Sequence, residues 1–255
     1  MGKHRGGKPQ RGGRKDGAQD RNGPWTTFSS SDKVNAGFEE YYRAQKILPE
    51  AEWPAFLEIL RNDLPLTFRV TGSRAHAETI KDIIKDVYVP TMLKVEVEEK
   101  TYGPPSQIPW YPNELAWQIS APKRVVRKSE PFKRFQRFLV GETEVGNLSR
   151  QEAVSMIPPL LLDVQPHHQC LDMCAAPGSK TAQIMEALNP HHLSSSGLLI
   201  ANDSDYKRTH MLVHQTGRMP SKGLVVTNLD ASALPHISIG EGKTLQFDRI
   251  LADVP

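Results

Sequence analysis

The residues best placed to do chemistry lie late in the chain. Cys174-Ala175-Ala176-Pro177-Gly178-Ser179-Lys180-Thr181 joins a short apolar run, Cys170 to Met173, to a helical pattern from Ala182 to Leu188. Small side chains in such a turn let a ligand approach the backbone, and the first turn of the following helix offers N–H groups with no intrahelical partner. Three further apolar runs each close on an acid: Leu198 to Asn202 before Asp203, Leu224 to Thr227 near Asp230, and Phe247 to Ala252 before Asp253. An acid 25 residues beyond Gly178 suits a pair of ribose hydroxyls, since one carboxylate accepts from both at once. Asp230 is then placed to meet a base or its amino group.

Other readings of the same residues fail on spacing. A phosphate-binding P-loop needs adjacent Gly-Lys-Ser/Thr with a glycine five residues before the second one. Here Ser179 separates Gly178 from Lys180, and position 173 is Met. A nicotinamide fingerprint has three glycines where this turn has only Gly178. Spacing alone therefore describes a nucleoside site without a pyrophosphate. His167, His168, Cys170 and Cys174 carry metal-ligand atoms, but the two cysteines stand ~13 Å apart on an extended strand at about 3.3 Å per residue. No metal is expected.

These residues need a scaffold, and the pattern supplies one. Strands followed by helices make a parallel, doubly wound sheet, whose ligands sit beyond the carboxyl ends of the strands, where the acids fall. The fold class is α/β: a small N-terminal α/β module followed by a Rossmann-like domain, whose truncation is implied only by the family resemblance of its motifs. In the module, Phe38, Tyr41, Tyr42 and Ile47 predict one helix, and Trp53, Phe56, Leu57 and Leu60 a second that Pro65 ends. Leu66, Phe68 and Val70 alternate as a strand, Ile80 to Tyr88 present one helical face, and Leu93, Val95 and Val97 alternate again. Four segments result: a tail over 1–35, the module over 36–120 with a possible RNA contact, a basic helical connector over 121–165, and the first half of the Rossmann-like domain over 166–255.

Charge is unevenly spread. Residues 1–24 carry seven basic and two acidic side chains, a net of +5 that leaves −2 for residues 25–255. With seven glycines among those 24 residues, the tail buries too little apolar surface to offset the entropy of ordering, so disorder is expected. A basic arm attracts nucleic acid by releasing phosphate counterions, or directs a chain to the nucleus, the nucleolus being the narrower alternative. A second concentration, Lys123, Arg124, Arg127, Lys128, Lys133, Arg134 and Arg137, is interleaved with Phe132, Phe135 and Phe138. The rings at spacing three predict a buried helical stripe, and the cations are candidates for RNA contact. Ser149-Arg150-Gln151-Glu152 fits a capping box opening a helix that Pro158-Pro159 stops. No run approaches the roughly 18 apolar residues of a membrane span. Two cysteines in 255 residues fit a reducing compartment.

The run Leu171-Asp-Met-Cys-Ala-Ala-Pro-Gly-Ser-Lys-Thr181, with Gln151 to Leu160 before it and Ala201-Asn-Asp203 and Leu251-Ala-Asp-Val-Pro255 after it, resembles the Sun-family RNA cytosine-5 methyltransferases. Trp110-Tyr-Pro-Asn-Glu-Leu-Ala-Trp117 and Glu40-Tyr-Tyr42 make it most similar to the branch that modifies tRNA in eukaryotes. The resemblance spans about residues 38–255. It implies S-adenosylmethionine across Cys174 to Lys180, with Asp203 on the ribose, Asp230 near the adenine and Asp253 where cofactor and target cytosine meet. It also implies tRNA as partner, with other RNA as a further candidate, a monomer, and neither membrane nor metal. In the family a cysteine thiolate adds to C6 of cytosine, which makes C5 nucleophilic enough to accept the methyl group; a thiolate is both a good nucleophile and a good leaving group.

One departure matters. The family continues Asp-x-Pro into Cys-Ser-Gly-Asp-Gly and places the attacking cysteine in a later Thr-Cys-Ser motif, whereas this sequence stops at Pro255. No catalytic cysteine is therefore expected in these 255 residues, and the chain is expected to be an inactive fragment. The alternative is a short product serving as a non-catalytic RNA-binding or cofactor-binding module.

Overall fold

The computed structural model describes residues 33–190, 196–219 and 221–254. The basic arm, read as disordered, lies almost wholly outside the described residues, as does Pro255. The described residues up to Asp63 form one compact unit and those from Leu64 a second.

In the first unit, α1 (Ala36–Ala44) is capped by Asn35, whose side chain accepts from the Phe38 N–H at 3.0 Å. Such a cap satisfies one of the four N–H groups that a helix start leaves unpaired. The second helix, α2 (Trp53–Arg61), carries Pro54 in its first turn, where the missing N–H costs nothing. It stops at Arg61, short of Pro65, and Ile47 falls outside α1. The Arg43 guanidinium lies 4.8 Å from the Trp53 ring centre.

The second unit opens with β1 (Leu66–Val70) and α3 (Ala77–Asp82), which continues through a π-helical stretch (Ile83–Tyr88) into α4 (Val89–Thr91). A hairpin of β2 (Val95–Val97) and β3 (Lys100–Tyr102) follows, then β4 (Ser106–Gln107) and β5 (Ala116–Ile119). Next come α5 (Lys123–Lys128), α6 (Glu130–Glu144) and β6 (Leu148–Arg150). The antiparallel sheet has the order β4-β5-β1-β6. Phe132, Phe135 and Leu139 of α6 pack with Phe68, Val70 and Trp117 in one core, so two rings of the predicted stripe are buried while Phe138 is only partly so.

The same packing redraws the boundary expected at 121. Residues 123–150 complete the core and sheet that β1 and β5 begin, rather than standing apart as a connector. The capping box is also absent. Ser149 lies in β6, paired with Arg69, and Pro158 and Pro159 sit in the first turn of α7 (Ile157–Leu161) instead of ending a helix. Proline is tolerated there because first-turn N–H groups have no intrahelical acceptor.

The parallel sheet consists of β7 (Gln169–Asp172), β8 (Leu198–Asn202), β9 (Leu224–Thr227) and β10 (Arg249–Leu251) in the order β10-β7-β8-β9. Helix α8 (Ser179–Leu188) joins β7 to β8, and α9 (Tyr206–Thr216) joins β8 to β9. This is the Rossmann-like arrangement expected, with β10 beside β7.

The two sheets are tied by a buried polar hub. Arg69, on β1, is wholly buried although strand alternation reads it as solvent-facing. Its guanidinium pairs with Glu186 of α8, and its Nε donates to Gln151 Oε1 at 2.9 Å. Glu186 also accepts from the Gly72 N–H at 2.9 Å, and Gln151 Nε2 donates to Gln183 Oε1 at 2.6 Å. Burial opposes the Arg69 charge, and Glu186 and Tyr111 beside it together more than offset that, holding its pKa above the ordinary value.

Candidate functional site

The site is a crevice at the carboxyl ends of β7, β8 and β9. The Cys174–Lys180 loop leaves β7 and enters α8 at Gly178, whose φ of +114° is a conformation that only glycine adopts freely. A Cβ there would also lie 3.1 Å from the Leu212 side chain of α9, which would have to give way by a few tenths of an ångström. The Ala175 N–H donates to Asn202 O at 2.7 Å, which docks the loop on the end of β8.

Asp203 organises this loop. One of its carboxylate oxygens accepts from the Ala176 N–H at 3.1 Å and lies 3.7 Å from Arg208, while the other accepts from the Asp205 N–H at 3.0 Å. Arg208 in turn donates to Ala176 O at 2.6 Å. The Asp203 side chain is only 2% exposed, but a carboxylate has about four acceptor positions, and these protein contacts leave room for a ligand hydroxyl.

Lys180 and Asp253 form a 2.6 Å ion pair at the β10 side of the crevice. Asp230, exposed after β9, accepts from the N–H and the hydroxyl of Ser232, which hold its pKa below the usual carboxylate range. The loop residues, Asp203 and Asp253 are thus linked by direct contacts along the sheet edge, whereas Asp230 is bonded only within its own turn among the described residues.

Two organisers carry no distinctive signal in the sequence. Asn202, fully buried, donates to Met173 O at 3.1 Å and Leu229 O at 2.9 Å, and accepts from the Thr227 hydroxyl at 2.8 Å and the Leu229 N–H at 3.0 Å. It therefore stitches together the loops after three strands. Asp172, 1% exposed, accepts from the Thr181 hydroxyl at 2.8 Å through one oxygen, while the other is buried without a partner. Burial pushes its pKa up to about 6, against the opposing pull of the Thr181 hydrogen bond and Lys180. A folded-state pKa above the unfolded one means that stability falls as pH rises from about 4 to about 6 and then levels off. Asp172→Asn removes that loss. At pH 7.5 the variant should be more stable than the parent by up to about 3 kcal/mol, with the gain vanishing near pH 4. Denaturant unfolding at the two pH values measures it, and a gain equal at both refutes the buried-charge account.

Three carboxylates, Asp172, Asp203 and Asp253, thus lie near two cations, Lys180 and Arg208, at one sheet edge, with Asp230 exposed beyond β9. An acidic edge of this kind suits hydroxyls and a positively charged ligand and disfavours a polyphosphate. Neither thiol is activated. Burial pushes Cys170 up to about 11, and burial with Asp203 and Asp172 raises Cys174. Among the described residues no cluster of three or more His, Cys, Asp or Glu side chains is arranged to hold a metal ion, and no helix is long and apolar enough to cross a membrane.

The seven cations of the second basic segment lie on α5 and α6, and all are exposed. Acids partly neutralise them: Glu98 pairs with Arg124 and Lys128, and Glu130 with Lys133 and Arg137. Arg127 and Arg134 have no such partner among the described residues.

Residues 159–255 match the family model for the 16S rRNA methyltransferase RsmB/F. A multisite-specific tRNA:(cytosine-C(5))-methyltransferase of Saccharomyces cerevisiae is 48% identical over 244 residues, covering 94% of this chain and 36% of the yeast protein. A tRNA (cytosine(34)-C(5))-methyltransferase of Drosophila melanogaster is 44% identical, over 92% of this chain and 34% of its own. The chain thus spans about a third of the length of these curated relatives. Among solved structures, NSun6 from Pyrococcus horikoshii with SFG shares the fold at a TM-score of 0.54 and 18% identity, covering 87% of this chain and 70% of that one.

Proposed function

We propose, from the premise that this chain belongs to the methyltransferase family of RsmB/F and the tRNA (cytosine-5) relatives, that its crevice binds S-adenosylmethionine as part of an enzyme methylating C5 of cytosine in tRNA. The observation that carries this reading is the Cys174–Lys180 loop bonded to Asp203 on an acidic strand edge. The residues fit the cofactor. Asp203 has acceptor positions for the two ribose hydroxyls, Asp230 lies after β9 where an adenine amino group would fall, and the acid excess suits a sulfonium and an ammonium. Gly178 lets the ligand meet backbone N–H groups at the start of α8. When bound, the cofactor supplies the electrophilic methyl group; this chain's residues bind and orient it, with Asp253 held by Lys180 toward the reacting end.

The nucleophile is a separate matter. A thiolate must add to the base, and Cys170 at about 11 is roughly 100-fold less ionised at neutral pH than an ordinary thiol. Cys174 is committed to the cofactor loop. The purified 255-residue chain, given tritiated S-adenosylmethionine and tRNA, should therefore leave incorporation at background. Incorporation abolished by Cys170→Ser or Cys174→Ser would contradict this.

The basic face of α5 and α6 is the proposed tRNA contact, with Arg127 and Arg134 as its unneutralised cations. Fluorescence anisotropy with a labelled tRNA transcript should show affinity falling steeply with salt, and Arg127→Gln and Arg134→Gln should each lower the log–log salt slope by roughly 1. An unchanged slope in both variants places the RNA elsewhere. Nuclear placement is proposed from the composition of residues 1–24 alone.

A further inference from the structure

A cavity of about 330 Å³ lies where the end of β1, the turn from α6 to β6, the first turn of α8 and the end of α9 converge. Its walls include none of Asp172, Asp203, Asp230 or Asp253, so it is distinct from the crevice, meeting the loop only at Gly178 and Ser179. The walls are pinned in place. Arg74 Nη2 donates to Val145 O at 3.1 Å and to Arg218 O at 2.6 Å, and Gly146, with φ of +80°, packs so closely that a Cβ would lie 2.5 Å from that same Arg218 oxygen. A preformed cavity of this kind loses little on filling.

The groups facing it call for an oxyanion. Arg150 lines the cavity with no partner among the described residues. Arg218 spends one N–H on Gln215 at 2.9 Å and keeps the rest. Against these stands one acid, Glu144. Val140 and Met219 give the cavity a partly exposed apolar wall. The volume is at the small end of the roughly 300–1,000 Å³ range of ligand pockets, enough for one nucleotide.

We propose that this cavity is a second ligand site that takes a nucleoside monophosphate unit, its phosphate held by Arg150 and Arg218. The unit is either a free mononucleotide or one nucleotide of an RNA strand, and titration separates the two. Calorimetry is run on the 255-residue chain saturated with S-adenosylmethionine, using uridine 5′-monophosphate, uridine and a short single-stranded oligouridylate. At least one phosphorylated ligand should bind, uridine should not, and Arg150→Gln and Arg218→Gln should each weaken binding at least 10-fold. Oligouridylate binding far tighter than the monophosphate identifies an RNA strand as the source, and equal affinities identify a free nucleotide. Failure of both phosphorylated ligands to bind, or binding unaltered in both arginine variants, overturns the proposal. Uridine binding as tightly as the monophosphate overturns the phosphate assignment. Titrating S-adenosylmethionine into the same variants should give the parent affinity, which keeps this outcome separate from the crevice reading.

Discussion

Glu186→Ala should lower the unfolding free energy by about 3–5 kcal/mol, because it leaves the Arg69 guanidinium charged and unpaired in a fully buried position. Most of that loss comes from the stranded charge and less from the missing contact. The double replacement Arg69→Met with Glu186→Leu should therefore recover much of the stability, since buried ion pairs exchange for packed apolar side chains at little net cost. Urea unfolding of parent, single and double variants gives the comparison. A single variant within about 1 kcal/mol of the parent would mean that Arg69 finds water or another acceptor, and that the hub does not fix α8 to the antiparallel sheet.

Asp203→Ala should weaken S-adenosylmethionine binding about 100-fold, since two charge-assisted hydrogen bonds contribute on the order of 3 kcal/mol. The ribose partner is lost, and so is the anchor of the loop. The Ala176 N–H then has no acceptor, and Arg208 keeps only its bond to Ala176 O. Asp230→Ala should cost less, about 10-fold, because Asp230 is solvent-exposed and bonded only within its own turn. If the two variants are equally affected, Asp203 has no organising role beyond contact with the ligand.

How much of this was legible in the sequence depends on the distance over which each feature is encoded. The crevice is encoded locally. A small-residue turn between an apolar run and a helix, and acids at the ends of three later runs, put the loop, Asp203 and Asp253 at one sheet edge before any contact is known. That β10 lies beside β7 follows from the usual strand order of a doubly wound sheet. The hub is encoded at long range. Arg69 stands between Phe68 and Val70, where alternation turns it to solvent, and only Glu186, 117 positions later, makes its burial tolerable. Gln151 reads as part of a capping box because Ser149 and Glu152 have the right spacing, yet β6 pairs with β1 and draws that segment into a sheet. Asn202 reads as the last residue of a strand. Its four hydrogen bonds reach residues 25 to 29 positions away, which no local pattern reveals. The basic helices of 123–144 look like a linker by charge, but their buried face, Val125, Phe132, Phe135 and Leu139, belongs to the core of the antiparallel sheet.

The central claim is that the acidic crevice over β7, β8 and β9 is a cofactor site, and isothermal titration of S-adenosylmethionine into the 255-residue chain tests it most directly. One molar equivalent should bind, and excess S-adenosylhomocysteine, which keeps the ribose and adenine, should displace it, while ATP, whose phosphates the acidic edge repels, should not. A chain shown to be folded by cooperative unfolding that takes up no S-adenosylmethionine, or that binds ATP as tightly, would contradict it.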